Sequence, residues 1–216
     1  HHLKTLRQQG VFGCPVAPRP DWQFDAALGE RTLLAHLQVA TLQAFGANEL
    51  HEAHAAAAAL LHYAEHTQGR PLTHIHSLRV QRGSELIDLP ASTRRNLELV
   101  KTLRGDDAPT LFSLLDTCMT GMGSRLLRRW LLEPERDRAP ARARLSATSA
   151  LRNDGSNGGD GSWTRLRAAL KGVCDVERIT ARVALGQVRP RELLALGQTL
   201  QKTELLAQAG YALEPY

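Results

Sequence analysis

Apolar residues recur at three- and four-residue intervals along most of this chain, the spacing that gathers them on one side of an α-helix. Between residues 48 and 68, Leu50, Ala53, Ala57, Leu60, Leu61 and Ala64 keep that rhythm, with Asn48 as the cap and Glu49 and Glu52 at the positive end. The alanine run 55–59 leaves room for another backbone to come close. Upstream, the pattern predicts a helical tail over residues 3–9. An extended stretch follows over 11–24, whose prolines at 15, 18 and 20 make it an edge strand or a loop. A short helix comes next, capped by Asp25, with Leu33, Leu34 and Leu37 facing inward. Residues 78–82 and 85–89 read as two short strands joined by Gly83-Ser84, because glycine in the first turn position suits a hairpin. Everything after Pro90 reads as helix, over about 90–104, 109–117, 121–132, 139–152, 162–172, 175–185 and 190–207. Pro90, Pro109, Pro140 and Pro190 stand where first-turn prolines start helices, and Gly105 and Gly186 where helices stop. Met122, Leu126, Leu127, Trp130 and Leu131 form one apolar stripe, and Val176, Ile179 and Val183 another. Residues 153–161 form a polar, glycine-laden loop expected to be mobile.

Composition sharpens this picture. The chain has 216 residues, 43% hydrophobic and 23% charged, enough for one domain or a domain and a half. Aromatics are only 5%, which with abundant Leu and Ala points to helices packed on helices, a mostly α fold. No apolar run reaches the roughly 18–20 residues of a bilayer helix, and no secretion signal opens the chain, so a cytoplasmic location is expected. Cys14, Cys118 and Cys174 are far apart and odd in number, so they read as small buried hydrophobes rather than disulfide or zinc partners. Charge changes sign along the chain. Up to Gly69 there are four basic residues against six acidic; from Arg70 onward there are 23 against 16. The change falls at Thr67-Gln68-Gly69-Arg70-Pro71, where a glycine can end a helix and a proline forbids its continuation, so a domain boundary is expected there.

Candidate chemistry is sparse. His51 with His54, His62 with His66, and His74 with His76 are spaced to share a metal, but no carboxylate or thiolate stands beside them at a matching interval, so structural roles are expected. His1 and His2 have the look of an affinity-tag remnant. There is no G-x-x-x-x-G-K-S/T, G-x-S-x-G or H-E-x-x-H. Gly121-Met122-Gly123-Ser124-Arg125 comes nearest to a phosphate loop, but it lacks a lysine and a preceding strand, and reads as a tight helix start. Arginines cluster at Arg94-Arg95, at Arg125 with Arg128-Arg129, at Arg136 and Arg138, at Arg142 and Arg144, and at Arg189 with Arg191. Such faces could meet phosphates, which makes an autonomous arginine-rich nucleic-acid-binding module the alternative reading. Interleaved Glu98, Glu133, Glu135, Asp137 and Glu192 make ion pairs within the protein the default.

Five ordered motifs carry a resemblance. They are Thr93-Arg94-Arg95-Asn96-Leu97-Glu98-Leu99; residues 109–116, from Pro109-Thr110 to Leu115-Asp116; residues 122–131, opening Met122-Gly123-Ser124-Arg125; Asp175-Val176-Glu177-Arg178-Ile179 with Arg182; and Arg189-Pro190-Arg191-Glu192-Leu193. Together they resemble the core (lever) domain of the bacterial MutS family of DNA mismatch-repair proteins. Trp22-Gln23-Phe24 and the helix ending at Gln68 look like the last part of that family's connector domain. Two departures touch helix starts: Pro90 stands where the family usually has an aspartate, and Gly121 where a proline is common.

The resemblance implies an α/β connector remnant over residues 1–69. A helical-bundle core domain with a short β-hairpin would then occupy 70–216 and stop before the clamp insertion. The family's mismatch-reading Phe-x-Glu motif, DNA clamp and P-loop ATPase are not in this sequence, so no catalytic or cofactor site is expected here. ATP and Mg belong to the full-length protein. By resemblance that protein is a cytoplasmic bacterial homodimer which binds mismatched duplex DNA, hydrolyses ATP and recruits MutL. The helices of this chain would link its DNA-gripping and ATPase ends. Thr93, Arg94, Arg95, Asn96 and Glu98, with Asp175, Glu177, Arg178 and Arg182, are expected to form a polar seam, and Arg178→Ala to lower the melting temperature. Gly123, Ser124, Arg125, Arg189 and Pro190 complete the coupling candidates.

Overall fold

The computed structural model describes residues 17–153 and 162–209, and the chain divides into two compact units between Gln81 and Arg82. The predicted helical tail over 3–9 and most of the glycine-laden loop fall outside the described residues. Among those residues the fold is helical with no strand, and a single isolated antiparallel bridge joins Leu86 to Glu135.

In the first unit, residues 17–20 are irregular and Asp21–Phe24 is one 3₁₀ turn, so the proline-rich stretch is a loop here and not an edge strand. Helix α1, Ala26–Leu37, begins because the Asp25 carboxylate accepts the Leu28 amide at 2.7 Å, and it ends on Gln38 in the left-handed conformation. Helix α2, His51–Gln68, starts later than the sequence predicts. A turn closed by the Leu50 amide on the Ala47 carbonyl occupies the positions before it, so Leu50 and not Asn48 stands at the cap. Gly69, at φ +68°, ends the helix. Leu33, Leu42 and Ala47 form the core, with Leu34, Leu37, Val39, Phe45, Leu78 and Val80 against it. The buried Ala55 and Ala58 lie on the face of α2 that α1 approaches; a Cβ on Gly29 would come within 2.7 Å of the His54 carbonyl carbon.

The expected hairpin is absent, and the division into units gives the reason. Leu78 and Val80 are committed to the first core, while the second run belongs to the next unit. There Gly83–Glu85 is a 3₁₀ turn. The Ile87 amide donates to the Pro134 carbonyl at 2.8 Å, and the Arg136 amide to the Glu85 carbonyl at 2.9 Å.

The second unit continues with α3 (Ala91–Asn96), α4 (Leu111–Leu115), α5 (Gly121–Leu132), α6 (Ala139–Asn153), α7 (Ser162–Leu170), α8 (Val176–Ala184), α9 (Pro190–Leu200) and α10 (Thr203–Ala209). The long helix expected over 90–104 stops at Asn96. Glu98 turns left-handed at φ +46°, and its carboxylate accepts the Leu103 amide at 2.7 Å. Pro90 holds the cap position of α3 without a side-chain bond, and α4 is capped by Thr110, not started by Pro109. The helix expected over 190–207 breaks at Gln201 and Lys202, where the Lys202 ammonium donates to the Lys171 carbonyl at 2.7 Å. The cysteines also differ from expectation: Cys118 is exposed and Cys174 half-buried. The Cys118 amide donates to Asp116 and the Cys174 amide to the Thr199 hydroxyl, while Cys14 lies outside the described residues.

Candidate helix-coupling site

Helix α5 starts where Thr120 accepts the Gly123 amide at 3.1 Å, which places Ser124 and Arg125 on its first turn. Gly123 suits the position, since a Cβ there would press on the Thr120 hydroxyl at 3.3 Å. From that turn two side chains reach other elements. Ser124 donates to the Asp116 carboxylate in the loop after α4. Arg125 grips Asp175 with both guanidinium nitrogens, at 2.6 and 2.8 Å, and adds Glu177 at 2.8 Å. Asp175 also caps α8, accepting the Arg178 amide at 3.2 Å. A planar guanidinium matches two carboxylate oxygens, so this contact fixes orientation as well as distance.

Further links continue the series. Arg182 of α8 pairs with Glu192 of α9, which also accepts the Arg189 amide at 2.9 Å across the start of that helix, where Pro190 is the first residue. The buried Thr199 hydroxyl accepts the Cys174 amide at 3.0 Å, just ahead of α8. Arg167 of α7 donates to the Thr117 carbonyl at 2.9 Å. Polar contacts thus run from the α4 loop through α5 and α8 to α9.

The electrostatics suit a fixed clamp. The Arg125 hydrogen bond, reinforced by the Arg178 amide, holds the Asp175 carboxyl below its usual range, and Arg125 in turn is held more firmly protonated than a free guanidinium. Ser124 lowers Asp116, and the Arg189 amide followed by Arg182 lowers Glu192. These groups stay charged at neutral pH, which equips them to pair and not to shuttle protons.

The other predicted residues lie elsewhere. Thr93 and Glu98 are half-buried, whereas Arg94, Arg95 and Asn96 are exposed. Arg95 donates to the Leu103 carbonyl at 3.0 Å, while the Glu98 and Leu99 carbonyls accept the Leu111 and Phe112 amides. Among the described residues, no hydrogen bond or ion pair joins this cluster to Asp175–Arg182, so the two halves of the expected seam form separate sites. Arg178 sits at 3.6 Å from Asp175 with its side chain 69% exposed, a marginal contact next to Arg125. Sequence reasoning left Asp116, Arg167, Glu192 and Thr199 out of the site. Glu192 carried a readable signal, a glutamate three residues after the residue before a helix start.

Several arginines that sequence clustering groups as possible phosphate ligands have partners within the protein. Arg144 pairs with Glu135 at 3.1 Å and stacks over Trp130, Arg129 pairs with Glu133, and Arg136 donates to the Leu86 carbonyl at 2.7 Å. No helix among the described residues is long and apolar enough to cross a membrane.

Comparison with protein families agrees with the two-unit division of the chain. Residues 2–76 match MutS domain II and residues 92–214 match MutS domain III, and the family's ATPase domain is not among the matched regions. With more than half of its length in the domain III match alone, the chain belongs to the MutS family and carries domains II and III of a mismatch-repair protein.

Proposed function

We propose that this chain is a mechanical and allosteric segment of a mismatch-repair protein, with the first unit the closing part of the connector and the second unit the opening part of the core. It carries displacement between DNA-gripping and ATP-hydrolysing parts and holds no catalytic site of its own. The observation that supports this best is the Arg125 clamp, which ties the first turn of α5 to the start of α8 by a bidentate contact. Helices joined end to end by directional contacts move as units and shift between discrete arrangements, the behaviour a lever requires. Apolar side chains left exposed, among them Leu126, Leu193 and Leu194, suit packing against further parts of the same protein. In that assembly the partners are mismatched duplex DNA, MutL and a second copy of the whole protein. ATP and Mg act at its distant ATPase domain, in the bacterial cytoplasm.

Titrating the chain with matched and mismatched duplexes at two salt concentrations, alongside an ATPase assay, tests the proposal. Weak, mismatch-blind binding or none, without ATP hydrolysis, is the expected outcome. Submicromolar binding with a steep salt slope would instead establish an autonomous arginine-rich module. In the full-length protein, Arg125→Ala should leave mismatch affinity nearly unchanged while reducing the stimulation of ATP hydrolysis by mismatched DNA.

A further inference from the structure

Glu30 on α1 and His51 and His54 on α2 each bring a ligand atom within 4.8 Å of the other two. Helix crossing at Gly29 is what assembles them. With no side chain at the contact, the α1 backbone settles onto the His54 and Ala55 backbone, and the next residue, Glu30, is carried to the histidines. His51 and His54, three residues apart, lie on one face of α2 with their rings edge to face at 5.7 Å between centroids.

His54 is unusual for a core residue. It is 1% exposed, and its Nε2 lies 2.7 Å from the Ala47 carbonyl oxygen, while its Nδ1 is buried without a hydrogen-bond partner. A carbonyl only accepts, so Nε2 carries the proton and Nδ1 of the neutral ring is a bare lone pair. Leaving such an atom buried and unmatched costs free energy that a fully paired ring would not. A ring whose far N–H is fixed by a backbone carbonyl, with its other nitrogen free, is the arrangement found at histidines that ligate metals.

We infer that Glu30, His51 and His54 form a binding site for a divalent transition-metal ion of the zinc class. Two imidazole nitrogens and one carboxylate oxygen would supply three ligands, and water the fourth. Nitrogen and oxygen donors of this kind select zinc, cobalt or nickel over calcium or magnesium. Because His51 is exposed and Glu30 half-buried, the site opens towards solvent on their side and an ion can enter without unfolding the unit. Bound there, it would pin α1 to the first turn of α2.

The test is Zn2+ titration of the intact, chelator-stripped chain by calorimetry, repeated with Co2+ to read the visible bands of a tetrahedral complex. Binding of one equivalent at micromolar affinity is expected, with a raised melting temperature. Glu30→Gln and His51→Ala, neither in the core, should each weaken binding by at least about tenfold, as loss of a metal-site group commonly does. Their metal-free melts should stay near that of the parent chain. Replacing His62 and His66, or His74 and His76, should leave the affinity unchanged. Absence of binding, unaltered affinity in both Glu30→Gln and His51→Ala, or loss of binding with either of the other histidine pairs would each overturn the assignment.

Discussion

Gln38 and Glu98 both hold a left-handed backbone, at φ +55° and +46°, yet they should respond differently to glycine. A side chain in this region costs roughly 1–2 kcal/mol, partly offset by the greater unfolded freedom of glycine. Gln38→Gly should therefore stabilise the chain by about 0.5–1 kcal/mol in urea unfolding. Glu98→Gly should show no such gain, because it also removes the carboxylate that accepts the Leu103 amide. Asp175 is the more demanding position: 25% exposed, it serves as both cap and clamp. Asp175→Ala should cost about 1–2 kcal/mol, consistent with a lost cap and a stranded partner. Glu177→Ala and Arg178→Ala, at side chains 70% and 69% exposed, should each stay within about 0.5 kcal/mol. The destabilising role that sequence spacing gave to Arg178 thus passes to Asp175 and its Arg125 partner.

Between elements, the informative contact is the one Gly29 of α1 makes with the backbone of α2. Alanine favours a helix by about 1 kcal/mol over glycine, yet Gly29→Ala should destabilise by about 1–2 kcal/mol. Its methyl would meet the backbone of His54 and Ala55, which has no rotamer to yield. Chemical denaturation that found the variant more stable would mean the helices can separate without penalty. Elements of this length also show what was legible. Helices with a capping side chain and several turns of apolar rhythm could be read: α1 behind Asp25, α5 over residues 121–132, and α8 behind Asp175. The helix expected over 109–117 is present as α4, two residues shorter at each end, whereas the short α3 could not be read, because Glu98 ends it and ties its loop to Leu103 and Leu111, contacts that a local pattern does not reveal. The false hairpin arose in the same way, since alternation cannot tell two paired strands from two runs serving different cores. For the coupling site, Ser124, Arg125, Asp175 and Glu177 stood out through motif residues. Asp116 lay within a motif without being singled out, and Glu30 was not connected with the histidines, because nothing local shows which distant element each will meet.

At the scale of the molecule, charge is distributed unevenly in function as well as in sign. Asp107, Asp116, Asp175 and Glu192, all in the second unit, have carboxyls held below their ordinary range by hydrogen bonds and neighbouring cations. For a group whose native pKa is depressed, the stabilisation is complete above the unfolded value and is lost as pH falls through the native one. The stabilisation these four carboxylates supply should accordingly be complete above about pH 5 and fall away below about 4, as free carboxylates protonate. Added salt should soften the fall, since these pairs are largely solvent-facing. Asp175→Asn should show a shallower acid decline than the parent chain, and an identical profile would remove Asp175 from the pH response.

Cys118 offers practical access to the same linkage. Its thiol is exposed, its amide donates to Asp116, and it lies beside the Ser124 contact that starts the series of helix joints. Partial desolvation and the adjacent carboxylate push the thiol upward, so maleimide or nitroxide reagents should couple slowly at neutral pH and readily in mild alkali. With Cys14 and Cys174 replaced, a spin label at this native position would sit on the segment joining α4 to α5. Under the proposed lever role, its spectrum in the whole protein should change when nucleotide or DNA is added, and an unchanged spectrum would count against motion reaching that joint.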